Sequence, residues 1–405
     1  MEKVMVAFTG GLQSSVCVHW LHDHTGCKVK VFVAELGQQA PTWEIGEYAV
    51  RIGAEGAHIE DCREEFCRDY AFRALKASAV YEQSYLVSGA LARPLIAAVL
   101  TRLADEEGCG SVALGACSGS NDLARFRANV DALNPRLKII GPEVITPLKD
   151  RETAIRYAHE HKIVPQEGLT PCMSYDANLW GVCLAHDPST DTWGPLPEKI
   201  YQLTVPASEA PAEAQSVTIK FERGVPVAVD DERLDPHTLV KRMNEVAGRH
   251  GVGRAELIED RLAGFKAREV YEAPGATALM LAHGALEELV LDYDTLSAKS
   301  ELGRRYAELV YAGGWFGMLR EALDAFVNVT QTRVTGEVRL DLFRGRAFVS
   351  GRRSPWTLCE REAASKQESD KCETSTPGAR TQGTRAHQAV TKPRRENKKG
   401  EAGAR

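Results

Sequence analysis

Short apolar runs alternate with helix-like patterns over the first 150 residues. Apolar side chains between these runs recur at the spacing of a helix, whereas the runs themselves are short and rich in β-branched residues. Strands that alternate with helices predict right-handed crossovers and a parallel sheet, and therefore an α/β domain. The strand candidates are residues 4–8, 29–36, 57–59, 111–115 and 137–141.

The middle of the chain has a different pattern. Residues 215–229 read as a hairpin that turns at Arg223-Gly224, and residues 333–350 repeat this arrangement. Between the two hairpins lie long amphipathic patterns typical of helices, at residues 236–250, 277–293 and 301–326. These segments predict a mixed α+β second domain.

Apolar residues nearly vanish toward the end of the chain, where Ser, Thr, Gln, Lys and Arg dominate. Such a segment cannot bury enough apolar surface to offset the entropy of ordering it. We therefore predict three parts: an α/β domain at 1–165, an α+β domain at 166–358, and a disordered basic tail at 359–405. A contact between this tail and nucleic acid is the weaker alternative.

Composition and charge narrow the classes of function. The hydrophobic fraction of 43% and charged fraction of 26% are those of a soluble globular protein. The net charge of −6 gives the whole chain no electrostatic reason to bind nucleic acid or a membrane. No apolar run reaches the roughly 18 residues that a spanning helix needs. The first residues show no signal-peptide pattern, so we expect a cytoplasmic location.

The ten cysteines suggest neither a metal site nor a disulfide framework. No C-x-x-C pair occurs, and no Cys or His residues recur at zinc-ligand spacing. We expect reduced thiols that serve mainly as buried structural residues, and we predict no protein ligand set for a metal.

Residues 7–15, Ala-Phe-Thr-Gly-Gly-Leu-Gln-Ser-Ser, lie where the first strand gives way to the first helix. This junction presents backbone N–H groups and the positive end of a helix to an anion. Adjacent glycines let the backbone approach a phosphate, and three hydroxyls add donors. The segment is neither a Walker loop nor a G-x-G-x-x-G loop, so the pattern alone is weak evidence for phosphate binding.

The loop resembles the S-G-G-L-D-T-S pyrophosphate loop of the argininosuccinate synthase family. Similar short segments recur in the family's order over roughly residues 4–358, among them Leu91-Ala92-Arg93-Pro94, residues 174–181 (Ser-Tyr-Asp-Ala-Asn-Leu-Trp-Gly) and residues 306–311 (Tyr-Ala-Glu-Leu-Val-Tyr). The resemblance implies a parallel-sheet adenine-nucleotide-binding domain with a pyrophosphate loop, followed by a synthetase domain. It also implies a ligase that uses ATP with Mg²⁺ to join citrulline to aspartate through an adenylated intermediate, and a homotetramer.

The resemblance further implies roles for individual residues. The implied ATP contacts are Ala7, Thr9, Gly10, Gly11, Ser14, Ser15, Ala34 and Gly115. The implied citrulline contacts are Tyr85, Asn121, Arg125, Ser174, Cys183, Glu259 and Tyr271. The implied aspartate contacts are Cys117, Asn121 and Asp122, and Asp122 and Arg125 are the implied catalytic pair.

Several positions depart from the family pattern. Near the phosphates, Gln13 replaces an aspartate, Cys117 a threonine and Gly119 a lysine. Loss of the lysine removes a charge-assisted hydrogen bond worth about 1.5–3 kcal/mol. On the citrulline side, Ala90 and Cys183 each replace a serine, and Arg127 replaces a glutamate, which reverses a charge close to the pocket.

Three interpretations remain open. The chain is an argininosuccinate synthase that tolerates these changes, a ligase of the same mechanism for another ureido, amide or carboxylate substrate, or a non-catalytic nucleotide-binding homologue. Sulfur transfer to tRNA on a related loop is disfavoured because the chain has no C-x-x-C pair.

Overall fold

The computed structural model describes residues 2–38, 40–165, 173–186 and 192–359, apart from the side chains of residues 173, 174, 185 and 186. The predicted disordered tail lies outside the described residues, except for its first residue.

The first domain is built on a five-stranded parallel sheet in the order β3-β2-β1-β4-β5. This confirms the predicted α/β class. The strands are β1 (Lys3–Ala7), β2 (Lys28–Glu35), β3 (Gly56–Asp61), β4 (Ser111–Leu114) and β5 (Lys138–Ile140). The helices are α1 (Leu12–Thr25), α2 (Thr42–Arg51), α3 (Arg63–Glu65), α4 (Phe72–Ala77), α5 (Ser88–Glu107), α6 (Asn121–Leu133) and α7 (Arg151–Glu160). A π-helical turn spans Phe66–Ala71 and a 3-10 turn spans Thr146–Lys149.

After Lys3, the central strand β1 is apolar because helices cover both faces of the sheet. Met5 and Ala7 pack into one core, whereas Val4 and Val6 pack into the other. Side chains of a strand alternate between the two faces, so a strand covered on both sides reads as a continuous apolar run.

The second domain contains two antiparallel sheets, in the orders β10-β9-β8-β13-β14 and β11-β12-β7-β6. The strands are β6 (Met173–Asn178), β7 (Gly181–His186), β8 (Gln215–Glu222), β9 (Val225–Val229), β10 (Glu232–Arg233), β11 (Arg254–Asp260), β12 (Lys266–Glu272), β13 (Gly336–Phe343) and β14 (Arg346–Arg353). The helices are α8 (Pro236–Arg249), α9 (Pro274–Val290), α10 (Tyr293–Tyr311) and α11 (Met318–Thr330), with 3-10 turns at Glu198–Ile200 and Gln331–Arg333.

Both predicted hairpins are confirmed, as β8–β9 and β13–β14. The single helix predicted at 301–326 is wrong, because the chain breaks between α10 and α11. Gly313 has φ of 87° there, and a Cβ on it would lie 2.8 Å from Arg125 Cα. Helix α10 ends at Tyr311, and the left-handed backbone of Gly313, which lies close to α6, does not continue it. The four-stranded sheet was not predicted from the sequence pattern.

A buried ion pair ties α9 to α10. Lys299 is 2% exposed, and its Nζ lies 3.1 Å from Glu287 Oε1 and 2.6 Å from Ser78 Oγ. Gln331 also donates to Glu287 Oε1, over 2.6 Å. A buried charge is tolerated only when it is paired and hydrogen-bonded, as it is here.

We predict that Lys299→Met lowers the free energy of unfolding by about 3 kcal/mol, because Glu287 keeps its charge but loses its cation. Chemical denaturation measures the change. Lys28→Met is the matched control: Lys28 pairs with Glu55 on the surface, where loss of the pair costs about 1 kcal/mol or less. Equal effects of the two substitutions would contradict the prediction.

Candidate active site

Two loops meet at the carboxyl ends of β1 and β4, in the middle of the parallel sheet. The chain leaves β1 through α1 toward β2 on one side, and it leaves β4 through α6 toward β5 on the other. Such a divergence opens a crevice at the sheet edge, where open α/β sheets bind their ligands. The predicted phosphate loop lies at this crevice.

The phosphate loop is held in shape by its own glycines and hydroxyls. Gly10 has φ of 76°, a backbone conformation that favours glycine. The Thr9 and Ser14 hydroxyl oxygens lie 3.1 Å apart, and Ser15 Oγ donates to the Gly11 carbonyl oxygen over 2.7 Å. Because α1 begins directly after Gly11, its first-turn N–H groups and positive end face the crevice. This arrangement suits an anion such as a phosphate chain.

The sheet register brings the other predicted ATP contacts to the same edge. Ala7, the last residue of β1, is paired with Phe32 of β2 and Leu114 of β4. Gly115 follows Leu114 directly, and Ala34 lies two residues beyond Phe32. Ala7, Ala34 and Gly115 therefore lie at the same edge of the sheet as the phosphate loop.

The loop after β4 packs directly on the phosphate loop. A Cβ at Gly115 would lie 2.3 Å from Ser14 Cα and 2.4 Å from Ser14 N, so a residue larger than glycine would have to push the backbones apart. Gln13 Nε2 donates to Cys117 Sγ over 3.2 Å. Burial raises the pKa of Cys117 to about 11, so this residue is a neutral thiol. Two of the departures from the family pattern thus contact each other across the loops.

Asp122, in the first turn of α6, is held by two arginines. Arg93 Nη2 lies 2.9 Å from its Oδ2, and Arg125 Nη1 lies 3.2 Å from its Oδ1. Although burial acts in the opposite direction, the charges of three nearby arginines, Arg93 foremost, hold the pKa of Asp122 well below its usual range. Asp122 is therefore ionised and can accept hydrogen bonds from an ammonium group.

Glu259 connects the predicted citrulline and aspartate contacts. It is 1% exposed, and its two carboxylate oxygens accept hydrogen bonds from the hydroxyls of Tyr271 and Tyr311. Asn121 Nδ2 donates to the Tyr311 hydroxyl over 2.7 Å, and the Arg125 guanidinium lies 4.5 Å from the centre of the Tyr311 ring. A connected polar network therefore runs from α6 to β11 and β12.

Tyr85 and Cys183 extend this network to the start of α5. The Tyr85 ring stacks on Tyr271 with ring centroids 4.1 Å apart. Its hydroxyl accepts hydrogen bonds from the N–H groups of Gly89 and Ala90, over 3.0 and 3.2 Å, and lies 3.6 Å from Cys183 Sγ. Burial raises the pKa of Cys183 to about 12, which leaves a neutral thiol in the pocket.

Two family models match the chain. The Arginosuccinate synthase N-terminal HUP domain matches residues 3–164, and the Arginosuccinate synthase C-terminal domain matches residues 173–385. The chain belongs to the argininosuccinate synthase family. This confirms the resemblance drawn from the phosphate loop and the segments that follow it.

Curated relatives extend the match over most of the chain. An argininosuccinate synthase of Desulfitobacterium hafniense (strain DSM 10664 / DCB-2) is 44% identical over 365 residues, which are 90% of this chain and 91% of that protein. One of Pelotomaculum thermopropionicum is 46% identical over 363 residues, 89% of this chain and 90% of that protein.

The structural match to the U34-tRNA thiolase NcsA from Methanococcus maripaludis covers 42% of this chain and 59% of the thiolase chain. It is 14% identical with a TM-score of 0.26, a likeness too weak to bear on fold or function.

None of the helices in the described part of the chain has the length and apolar character needed to cross a membrane.

The structure changes the interpretation of two citrulline-side departures from the family pattern. Arg127 Nη2 lies 2.6 Å from both carboxylate oxygens of Glu143 at the protein surface. The carboxylate of Glu143 therefore offsets the positive charge that Arg127 introduces in place of the family's glutamate. Ala90 does lack a hydroxyl, but Ser88 Oγ lies 3.4 Å from Cys183 Sγ and supplies one close by.

Three residues of the network were not predicted as site residues: Arg93, Asp176 and Tyr311. Each lies in a segment that resembles the family, so the resemblance covered these positions, but no role was predicted for them. The side chain of Ser174, a predicted citrulline contact, lies outside the described residues.

The described residues bring one group of potential metal ligands together away from the phosphate loop: Glu64, Asp235 and His237. Asp235 caps α8 by accepting a hydrogen bond from Thr238 N, and its carboxylate lies 2.6 Å from His237 Nδ1. These contacts account for the group as the N-cap residue of α8 and the side chains beside it.

We predict that Gly115→Ala weakens ATP binding at least about tenfold and destabilises the fold by about 1–3 kcal/mol, because the new Cβ separates the two loops. Calorimetric titration with ATP and thermal unfolding measure the two effects. Gly110→Ala, at the other end of β4, is the control because its Cβ meets nothing within 4 Å. ATP affinity unchanged in Gly115→Ala would show that the loops need not touch.

Proposed function

We propose that this protein is an ATP-dependent ligase that condenses citrulline with aspartate to argininosuccinate, releasing AMP and pyrophosphate, in arginine biosynthesis. The observation that carries the proposal is the match of both family domains, in order, over residues 3–164 and 173–385. The relatives bear the name argininosuccinate synthase, and this chain spans about nine-tenths of their length.

The phosphate loop suits the first step of this reaction. The ureido oxygen of citrulline attacks the α-phosphate of ATP, and pyrophosphate departs. The first turn of α1, with the Thr9 and Ser14 hydroxyls, supplies donors for the charge that develops on the departing group. Mg²⁺ enters as part of the MgATP substrate and neutralises the phosphate charge.

The network around Asp122 suits the second step, in which the amine of aspartate displaces AMP. Ionised Asp122 and the Asn121 side chain hold the amino acid, with its amine toward the activated carbon. Glu259, Tyr271 and the other predicted contacts hold citrulline. The protein's main contribution is to bring two substrates to one reactive carbon, which by itself supplies a large part of a rate enhancement.

Cys183 and Ala90 support a second candidate, a ligase of the same mechanism for a different first substrate. Both positions lack the hydroxyl of the family pattern, and a pocket selects polar substrates by matching their hydrogen bonds. Ser88 Oγ beside Cys183 gives this chain its own arrangement of donors.

We further propose that the protein is a homo-oligomer, with the tetramer of the family as the expected state, and that it works in the cytoplasm. The cytoplasm is a reducing compartment, and the cysteines support this location because all eight in the described part of the chain are free thiols.

We predict that pyrophosphate release from MgATP depends on citrulline and that argininosuccinate appears only when aspartate is also present. A coupled pyrophosphate assay, with each substrate added singly and together, measures the first effect, and chromatography of the product measures the second. ATP binding without citrulline-dependent release would refute the proposal. A screen of other ureido, amide and carboxylate compounds then separates a ligase for another substrate from a non-catalytic homologue.

We predict that the double substitution Gln13→Asp with Gly119→Lys raises affinity for ATP up to about 30-fold and increases turnover. The new lysine adds a charge-assisted bond worth about 1.5–3 kcal/mol, and the left-handed backbone at Gly119, with φ of 75°, offsets about 1 kcal/mol of it. The control is Gln13→Asp with Gly119→Ala, which carries the backbone strain without the charge. Identical kinetics for the two double variants would exclude a role for this cation.

A further inference from the structure

We propose that Arg93 is a positioning residue for the aspartate half of the reaction: it fixes the carboxylate of Asp122 and joins the two domains around the site. The inference rests on the proposed function. It adds a residue that is not among the predicted substrate contacts and that acts through Asp122.

Arg93 bridges carboxylates from two domains. It lies in α5 with its side chain 11% exposed, and a single nitrogen, Nη2, donates to Asp122 Oδ2 over 2.9 Å and to Asp176 Oδ2 over 2.7 Å. Asp122 belongs to the first domain and Asp176 to β6 of the second. The guanidinium therefore sets the distance between α6 and β6 at the pocket.

The β6–β7 hairpin holds α5 in place for this contact. Asn178 Nδ2 donates to the Ser88 carbonyl oxygen over 3.0 Å, and Trp180 Nε1 donates to the Leu86 carbonyl oxygen over 3.2 Å. Asp176 and Asn178 lie two residues apart on one strand, so they project from the same face toward α5. These contacts fix the start of α5 relative to β6, and α5 carries Arg93. The Arg93 bridge is therefore built on a backbone that is held in place.

The charges around Asp122 show why the cation is needed. Arg125 lies on the same helix as Asp122. The charged groups on the neighbouring elements are Arg93 on α5, Asp176 on β6, Arg261 after β11, and Glu259 and Glu269 on β11 and β12. Burial raises the pKa of Asp176, and the charge of Asp122 adds to that rise. Burial likewise raises the pKa of Glu269 to about 7 despite the neighbouring Arg261.

Removal of Arg93 would leave two half-buried carboxylates facing each other without the cation that lies between them, and this would raise the pKa of Asp122. A protonated Asp122 is a poorer acceptor for the ammonium group of aspartate. Since the folded-state pKa of Asp122 is now depressed, its ionised form persists down to acidic pH. Without Arg93 this form would be lost at a higher pH.

The experiment compares Arg93→Gln, Arg93→Lys and Asp176→Asn with the control Arg102→Gln. Arg102 lies on the same helix but forms exposed ion pairs with Glu60 and Glu106. For each variant, citrulline-dependent pyrophosphate release without aspartate is measured separately from argininosuccinate formation. The pH profile of kcat/KM for aspartate is recorded as well. Difference infrared titration follows the carboxyl band that Asp122→Asn abolishes, with no need for turnover.

Arg93→Gln should raise KM for aspartate roughly 10- to 100-fold, because one charge-assisted contact is lost, and it should change citrulline-dependent pyrophosphate release less than about threefold. The acidic limb of kcat/KM and the infrared titration of Asp122 should both move upward by about one pH unit or more. Arg93→Lys should restore part of the pH profile because it keeps the charge. Asp176→Asn should leave the limb in place or lower it.

A purely structural role for Arg93 would lower both half-reactions together and leave the pH limb where it is, which would overturn the inference. So would kinetics of Arg93→Gln that match those of Arg102→Gln. If the wild-type protein shows no citrulline-dependent release, the proposed function fails. The infrared titration still decides whether Arg93 keeps Asp122 ionised: an unchanged titration in Arg93→Gln refutes the inference on its own.

Discussion

The site depends on the contact between two backbones at the centre of the parallel sheet. Gly115, just beyond β4, lies so close to Ser14 that a Cβ would fall 2.3 Å from Ser14 Cα. This approach places the loop after β4 against the phosphate loop and carries α6, with Asp122 in its first turn, to the same crevice. Phosphate chemistry and amino-acid recognition therefore share one edge of the sheet.

The second domain completes what the first domain begins. Strands β11 and β12 bring Glu259 and Tyr271 to the residues of α6, and β6 brings Asp176 to Arg93. Hydrogen bonds inside such a half-buried network are stronger than in water, but every member must keep its partner. The departures at Gln13 and Cys117 keep this rule, because the two side chains hydrogen-bond each other.

Sequence patterns predicted the first domain better than the second. The parallel sheet could be predicted because a strand that packs into a core on each face forms an apolar run. Strands β11 and β12, in contrast, carry several charged residues along their length. Those charges are satisfied across the sheet and by neighbouring elements, as Arg268 is by Glu256 over 2.7 Å. A periodicity search reads such strands as polar surface, since the partners that permit burial are distant in sequence.

The sequence by itself determined the α/β class, the phosphate loop and the family, because these depend on local patterns and on short motifs in a fixed order. Only the tertiary structure decided which side chains act together. It joined Arg93 to both Asp122 and Asp176, made Tyr311 a partner of Glu259, and neutralised Arg127 with Glu143. Charge balance and hydrogen bonding depend on distances in space. When two partners are far apart along the chain, the order of the residues does not reveal the distance between them.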